Sequence, residues 1–268
     1  RWHIMARHRN GYPVKIERSY YRQLGKLVRS WQVQANKMLD KIKPYVKGGT
    51  KMLTDADNSA NPDWTHAVQQ ALDLFSVSVS GYYEEQKERN IAMQFVYAVD
   101  KFSDTKTTQR RGIITMKVDP VAINPFYRNP KLREYAQSKI IENTNLIQTM
   151  RQRYINQLQG DVFRLINQGS GISDLSHAIS NRTGMALRHA DLIATDQTGK
   201  ILSQVDAYRN QQSGSTKYIW RSMEDGRVRP KHRELDGKVF KYDDPNGGDN
   251  GQLPGEPIRC RCYQDPVD

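Results

Sequence analysis

The chain has 268 residues, of which 37% are hydrophobic and 26% charged, with a mean hydropathy of −0.79 and a formal net charge of +12. That is apolar enough for one large or two modest globular domains and excludes a disordered tail, while 9% aromatics in so polar a chain favour long amphipathic helices. No apolar run reaches the roughly 18 residues of a membrane span, and the residues after Arg1 lack the features of a secretion signal, so no membrane partner is expected.

The charge is concentrated at one end. Residues 1 to 51 carry thirteen Lys or Arg against Glu17 and Asp40, whereas the remainder carries 28 basic and 27 acidic residues. Opening on Arg1 rather than Met, the sequence reads as a processed or trimmed piece. The segment with Arg7, Arg9, Lys15, Arg18, Arg22, Lys26, Arg29, Lys37, Lys41, Lys43 and Lys47 produces a field that attracts polyanions, nucleic acid first and an acidic protein surface second. A solvated helix face is the plainer alternative.

From Ile16 the apolar positions Ile16, Tyr20, Leu24, Leu27, Trp31, Ala35, Met38 and Ile42 recur every three or four residues, which predicts a helix docked by one face with a basic flank. Pro44 and Gly48-Gly49 should end it. After a polar loop from Thr54 to Pro62, a second helix is expected from about Asp63, with Trp64, Val68, Ala71, Leu72, Phe75 and Val79 inward. Glu84, Glu85, Lys87, Glu88 and Arg89 should form a wet face beyond it. The alternation from Ser76 to Ser80 suits a strand by itself but lies within a longer helical pattern.

Gly112, Pro120, Pro125 and Pro130 mark residues 103 to 130 as a connector, with a short strand at Ile113 to Val118. A long helix follows from Lys131, with Leu132, Tyr135, Ile140, Thr144, Ile147, Met150, Tyr154, Leu158, Val162 and Leu165 inward, and Gly169-Ser170-Gly171 closes it. Ser173 is placed as an N-cap, Thr183-Gly184 as a break, and about Ala186 to Arg209 as a further helix. Beyond Gly214, strands are expected at Lys217 to Trp220, Lys238 to Tyr242 and Ile258 to Tyr263. The fold class is therefore α+β and mainly α, with long helices followed by a small three-stranded antiparallel module. In domain terms this gives a basic, mostly helical region at 1–130 and a second domain at 131–268.

Cys260 and Cys262 are the two cysteines. Two sulfurs spaced by one residue can share a tetrahedral metal, and His232, in the turn-rich stretch between the first two strands, can close over them. Asp225, Asp236 or Glu256 can add a fourth ligand. A small sheet with little core of its own gains most from such a staple, zinc being the natural ion. Buried free thiols and a reversible disulfide are the alternatives. Arg227, Arg229, Lys231 and Arg233 flank His232, but residues 221 to 268 hold nine basic and ten acidic side chains, so internal ion pairing accounts for them. No phosphate loop, nucleophile elbow, zinc-protease helix or dinucleotide fingerprint is present.

The stretch Trp220-Arg221-Ser222-Met223-Glu224-Asp225-Gly226-Arg227-Val228-Arg229-Pro230-Lys231-His232 is followed by Leu235-Asp236-Gly237 and by Pro254 to Cys262. This order resembles the signature of the Mu F-like phage head morphogenesis family: an aromatic strand, Arg-Val-Arg-Pro-x-His, a Leu-Asp-Gly turn and a closing Cys-Arg-Cys. Ala190 to Lys200 resembles the family's preceding helix, although the family usually has Arg where Thr195 stands. Some members add ligands where Arg229 and Ile258 stand here, so the resemblance carries a metal site over through His232, Cys260, Cys262 and Asp225.

The resemblance implies a minor head protein of a tailed phage without catalytic activity, assembled in the host cytoplasm and resident in the virion, in the head interior or at the portal vertex. It further implies the portal protein, other head proteins and further copies of the chain as partners. Its role would lie in head assembly, DNA packaging or genome delivery. Contact with packaged double-stranded DNA would then fall to the basic N-terminal segment. The competing reading is a nucleic-acid-processing enzyme or transferase delivered with the genome, using His232.

Overall fold

The computed structural model describes residues 11–46, 64–111 and 128–267. Helices α1 (Val14–Ile42), α2 (Trp64–Ser80), α3 (Tyr82–Arg111), α4 (Pro130–Asn167) and α5 (Ile172–Gln212) precede strand β1 (Lys217–Arg221), the short helix α6 (Pro230–Leu235), β2 (Val239–Lys241) and β3 (Tyr263–Val267). The three strands form one antiparallel sheet in the order β2-β1-β3, with Tyr218 opposite both Phe240 and Pro266. The fold is thus mainly helical α+β with a small three-stranded sheet, as the pattern predicts. No helix among the described residues is long and apolar enough to cross a membrane.

Helix α1 follows its periodicity closely. Tyr20, Leu24, Leu27, Trp31, Ala35, Met38 and Ile42 are buried, and Ile16 is half-buried. The helix ends at Ile42, where a single 3-10 turn containing Pro44 begins. In α2, Val68, Ala71, Leu72, Phe75 and Val79 are buried, so the alternating serines sit in helix.

The chain forms two compact units, interleaved along the sequence. One comprises the described residues of Arg22–Asn90 and Thr144–Asp191. Its core gathers Trp31, Phe75 and Tyr154 in tilted ring contacts at 5.9 and 6.4 Å. Glu88, expected on a wet face, is instead wholly buried and takes two 3.0 Å hydrogen bonds from Nη1 of Arg151 on α4. A charge-matched partner makes this burial tolerable.

The other unit comprises the described residues of Arg1–Tyr21, Ile91–Asn143 and Leu192–Asp268. Tyr20 stacks on Phe95 at 3.8 Å and donates to Asn143 Oδ1, while Asn143 Nδ2 donates to Gln197. Arg209, fully buried, donates to the carbonyl and the carboxylate of Asp100. Lys106 and Ser103 both donate to Asp206. This last contact explains why α3 continues to Arg111, through nine residues of the stretch read as connector. The strand expected at Ile113 to Val118 and the loop expected from Thr54 to Pro62 lie outside the described residues.

Two expected punctuation marks are overridden. Helix α5 runs unbroken where a break was expected at Thr183-Gly184, with the Thr183 hydroxyl bonded to the Ile179 carbonyl at 2.8 Å and 3.2 Å from Tyr154 Oη. Its entrance is capped by Asp174, which accepts from the Gly171 N–H at 3.0 Å, rather than by Ser173.

Candidate metal centre

The C-terminal module buries a small cluster of Tyr218, Trp220, Leu235, Cys260 and Cys262, with Phe240, Tyr242 and Leu253 packed against it. Alternation along β1 sends Tyr218 and Trp220 inward and leaves Lys217 in water. Pro230 sits at the first position of α6, where its missing N–H costs nothing, and the single turn and a half that follows turns His232 and Leu235 inward. This short helix was not anticipated, although the Arg-Pro step was its signal.

The cysteines do not lie on the third strand, which begins only at Tyr263. They occupy the turn before it, closed by the Cys260 N–H donating to the Pro257 carbonyl at 2.9 Å, with Arg259 at a left-handed φ of 58°. That bend replaces the extended segment expected from Ile258. It brings the sulfurs of both cysteines to one place, 3.5 and 3.6 Å from His232 Nδ1, and the Cys262 N–H donates to the Cys260 sulfur at 3.4 Å. Both thiols are free. The donor atoms of His232, Cys260 and Cys262 all lie within 4.8 Å of one another, and all three residues are buried.

The other nitrogen of His232, Nε2, meets Asp249 Oδ2 at 3.0 Å, and Trp220 packs edge-on against the imidazole at 5.1 Å. Asp249 is also ion-paired with Lys231. Burial pushes the Asp249 carboxyl up, but the hydrogen bonds from Lys231 and His232 together hold it below its ordinary value. A carboxylate on Nε2 holds a proton there and leaves Nδ1 facing the sulfurs, where it can donate to a thiolate and, with a metal bound, would offer its lone pair instead. The Cys262 thiol, hydrogen-bonded to Cys260, draws the latter down to about 5 with help from His232, while the same bond drives Cys262 well up. A thiolate is thus favoured at Cys260. The donor set suits zinc in type, spacing and supporting carboxylate.

Of the carboxylates considered as a fourth ligand, none joins the group. Asp225 is taken by Arg261 and accepts the Arg227 N–H at 3.0 Å. Asp236 accepts the Ser222 N–H at 2.8 Å, and Glu256 accepts the Leu253 N–H at 2.7 Å. Asp249, which supports His232, carried no signal in its Asn- and Gly-rich surroundings and was missed.

The module is joined to α5 through the Ala190 to Lys200 stretch. Asp196 accepts the Arg259 N–H at 3.2 Å and pairs with Lys200 at 2.7 Å.

Residues 156–264 match the family described as Phage Mu protein F like protein. This part of the chain resembles the Mu F-like family. The resemblance to the phage head morphogenesis family, drawn from the Trp220 to Cys262 motif, therefore holds, and the matched residues include α5, the sheet's first two strands and all three clustered donors. A Haemophilus influenzae protein, described only as an uncharacterized protein, is 31% identical over 148 residues, covering 55% of this chain. The match covers 33% of that relative's length. No solved structure matches the chain significantly.

The other candidate residues lie apart, on α1. Lys15, Arg18, Arg22, Lys26, Arg29, Lys37 and Lys41 are all exposed, as is Lys43 just beyond the helix, where it pairs with Asp40. At ~100° per residue Lys15, Arg18, Arg22, Lys26 and Arg29 occupy the side of the helix away from the buried seam, and Lys37 and Lys41 its flank. Arg7, Arg9 and Lys47 lie outside the described residues.

Proposed function

We propose that this chain is a structural protein of a tailed-phage head, acting in head morphogenesis, packaging or genome delivery beside the portal protein, other head proteins and further copies of itself. In this reading its C-terminal module is a docking element and the exposed face of α1 meets packaged double-stranded DNA. The observation that carries the DNA contact is the exposure of all seven basic residues from Lys15 to Lys41 along one helix. At ~1.5 Å per residue that face runs for roughly 39 Å, long enough to follow several phosphates. Such contacts position a duplex without reading its sequence.

The buried donors belong to the same reading as a structural zinc staple. His232 would ligate through Nδ1 and Cys260 and Cys262 through sulfur, and the ion would supply folding free energy to a module with a small core. A histidine 3% exposed and fastened on both nitrogens is better placed for that than for general-base chemistry on a polymer.

The test is a variant carrying Arg18→Glu, Arg22→Glu, Lys26→Glu and Arg29→Glu, assayed for duplex DNA binding and for incorporation into heads. Loss of DNA binding with a normal helical spectrum supports the reading. Unchanged DNA affinity overturns it, and if the variant instead loses binding to an isolated acidic head protein, the face is reassigned to a protein groove.

A further inference from the structure

Helix α2 carries two apolar seams. Val68, Ala71, Leu72, Phe75 and Val79 are buried in its own unit, whereas Ala67, Gln70, Leu74, Val77 and the following Gly81 recur at steps of three, four, three and four along a neighbouring face. Such steps are the heptad pattern of a helix that packs on another helix. Leu74 is 51% exposed and Val77 68%, so this second seam lies in water. Just beyond Gly81, Tyr82 and Tyr83 are exposed as well, their rings edge to face at 6.0 Å. Tyrosines at the end of an apolar seam have the composition of an interface rather than of free surface.

Charge decides what fits there. The chain is 26% charged, yet α2 has one charged side chain in 17 residues, Asp73, to which Gln69 donates at 2.7 Å. A strongly acidic or basic partner finds little to pair with on such a face. Two copies meeting through the basic face of α1 would set cation against cation. The outer side of α2 has no Lys or Arg, and a second copy offers it the same apolar seam that it presents itself.

We propose that α2 is a self-association surface on which a second copy of this chain docks about a two-fold axis, the two α2 helices antiparallel and Leu74 of each against the partner's Val77. The inference rests on the reading that further copies of the chain are partners, and it names the face they use. A two-fold contact is self-complementary, so the same seam serves both sides. In this register Asp73 lies opposite the partner's Ser78, whereas a parallel pairing would set the two Asp73 carboxylates against each other.

The experiment is sedimentation equilibrium of the full chain up to the highest concentration at which it stays in solution. Its mass should rise toward that of a dimer, and Leu74→Glu or Val77→Lys alone should hold it at the monomer. Both positions are exposed, so the helical spectrum of each variant should be unchanged. An equimolar mixture of the two variants should regain the dimer, because the introduced carboxylate and ammonium then face each other. A chain that stays monomeric throughout overturns the proposal, as does a dimer that either substitution leaves intact or a mixture that stays monomeric. If the chain is monomeric but Leu74→Glu blocks its incorporation into heads, the face belongs to another head protein, and self-association falls while the head reading stands. A dimer of a chain absent from purified heads overturns the head reading and leaves the α2 contact in place.

Discussion

Gly199 on α5 and Gly255 in the cysteine-bearing loop meet backbone to backbone. A Cβ at Gly199 would lie 2.6 Å from the Gly255 carbonyl oxygen and 2.5 Å from that of Cys260, and one at Gly255 would lie 2.6 Å from the Gly199 oxygen. Gly255 also adopts a φ of +101°. The loop that presents the cysteines is therefore held on the helix at a distance only glycine allows. Gly199→Ala should lower unfolding free energy by roughly 1–3 kcal/mol, as overpacking does. Denaturant titration would measure it, and a neutral effect would show that the loop can lift away from α5 at no cost.

Asp249→Asn should weaken zinc binding about 10–100-fold, because the amide no longer fixes the His232 proton on Nε2 as a carboxylate does. Competition with a chromogenic chelator measures this. Cys260→Ser and Cys262→Ser should lose the metal more completely, so the graded order separates a supporting residue from ligands.

The buried Asp100–Arg209 contact predicts a large stability effect. Asp100→Ala takes the 2.7 Å carboxylate from a guanidinium with no exposure to water and leaves it Asp104 at 4.0 Å, a change that costs up to about 3–5 kcal/mol. Thermal unfolding of the variant, with helical content checked by circular dichroism, tests it. A shift no larger than that of an exposed pair such as Lys43–Asp40 would contradict the burial argument.

Glu88 gives the chain a pH signature. Burial raises its carboxyl from 4.5 to about 7, and Arg151 only partly opposes this. In the unfolded chain the proton leaves near 4.5, so the stability linked to this group is fully present below that pH and is lost as pH rises through about 7. Wild type should therefore lose stability relative to Glu88→Gln between those values. Paired melting curves across the range would show it, and a constant difference would count against a raised Glu88.

What the sequence revealed and what it hid divide by the range of the interaction. The α1 seam and its basic flank are local periodicities, and Tyr20 to Ile42 sit where the spacing puts them. The sheet's aromatic strand, Tyr218 to Trp220, is equally local. Glu88 was hidden because its partner Arg151 is 63 residues away, although Ala92, Phe95 and Val99 continue its helical face inward. The third strand starts at Tyr263 because Arg259 takes a left-handed turn, a conformation a non-glycine residue does not advertise. The three donors were legible from chemistry and spacing. Asp249 was not, since its role arises from its hydrogen bond to His232 across the fold.

The most direct measurement of the central claim is the salt dependence of duplex DNA binding by the full chain and by the Arg18, Arg22, Lys26, Arg29 charge-removal variant, each changed to alanine. Each phosphate contact contributes roughly 0.9 to the slope of log affinity against log salt. If α1 lies along the duplex, the variant's slope should be shallower by about 3 to 4, with no preference among DNA sequences in either protein. Equal slopes for the two proteins would show that DNA is met elsewhere and would contradict the role assigned to this helix.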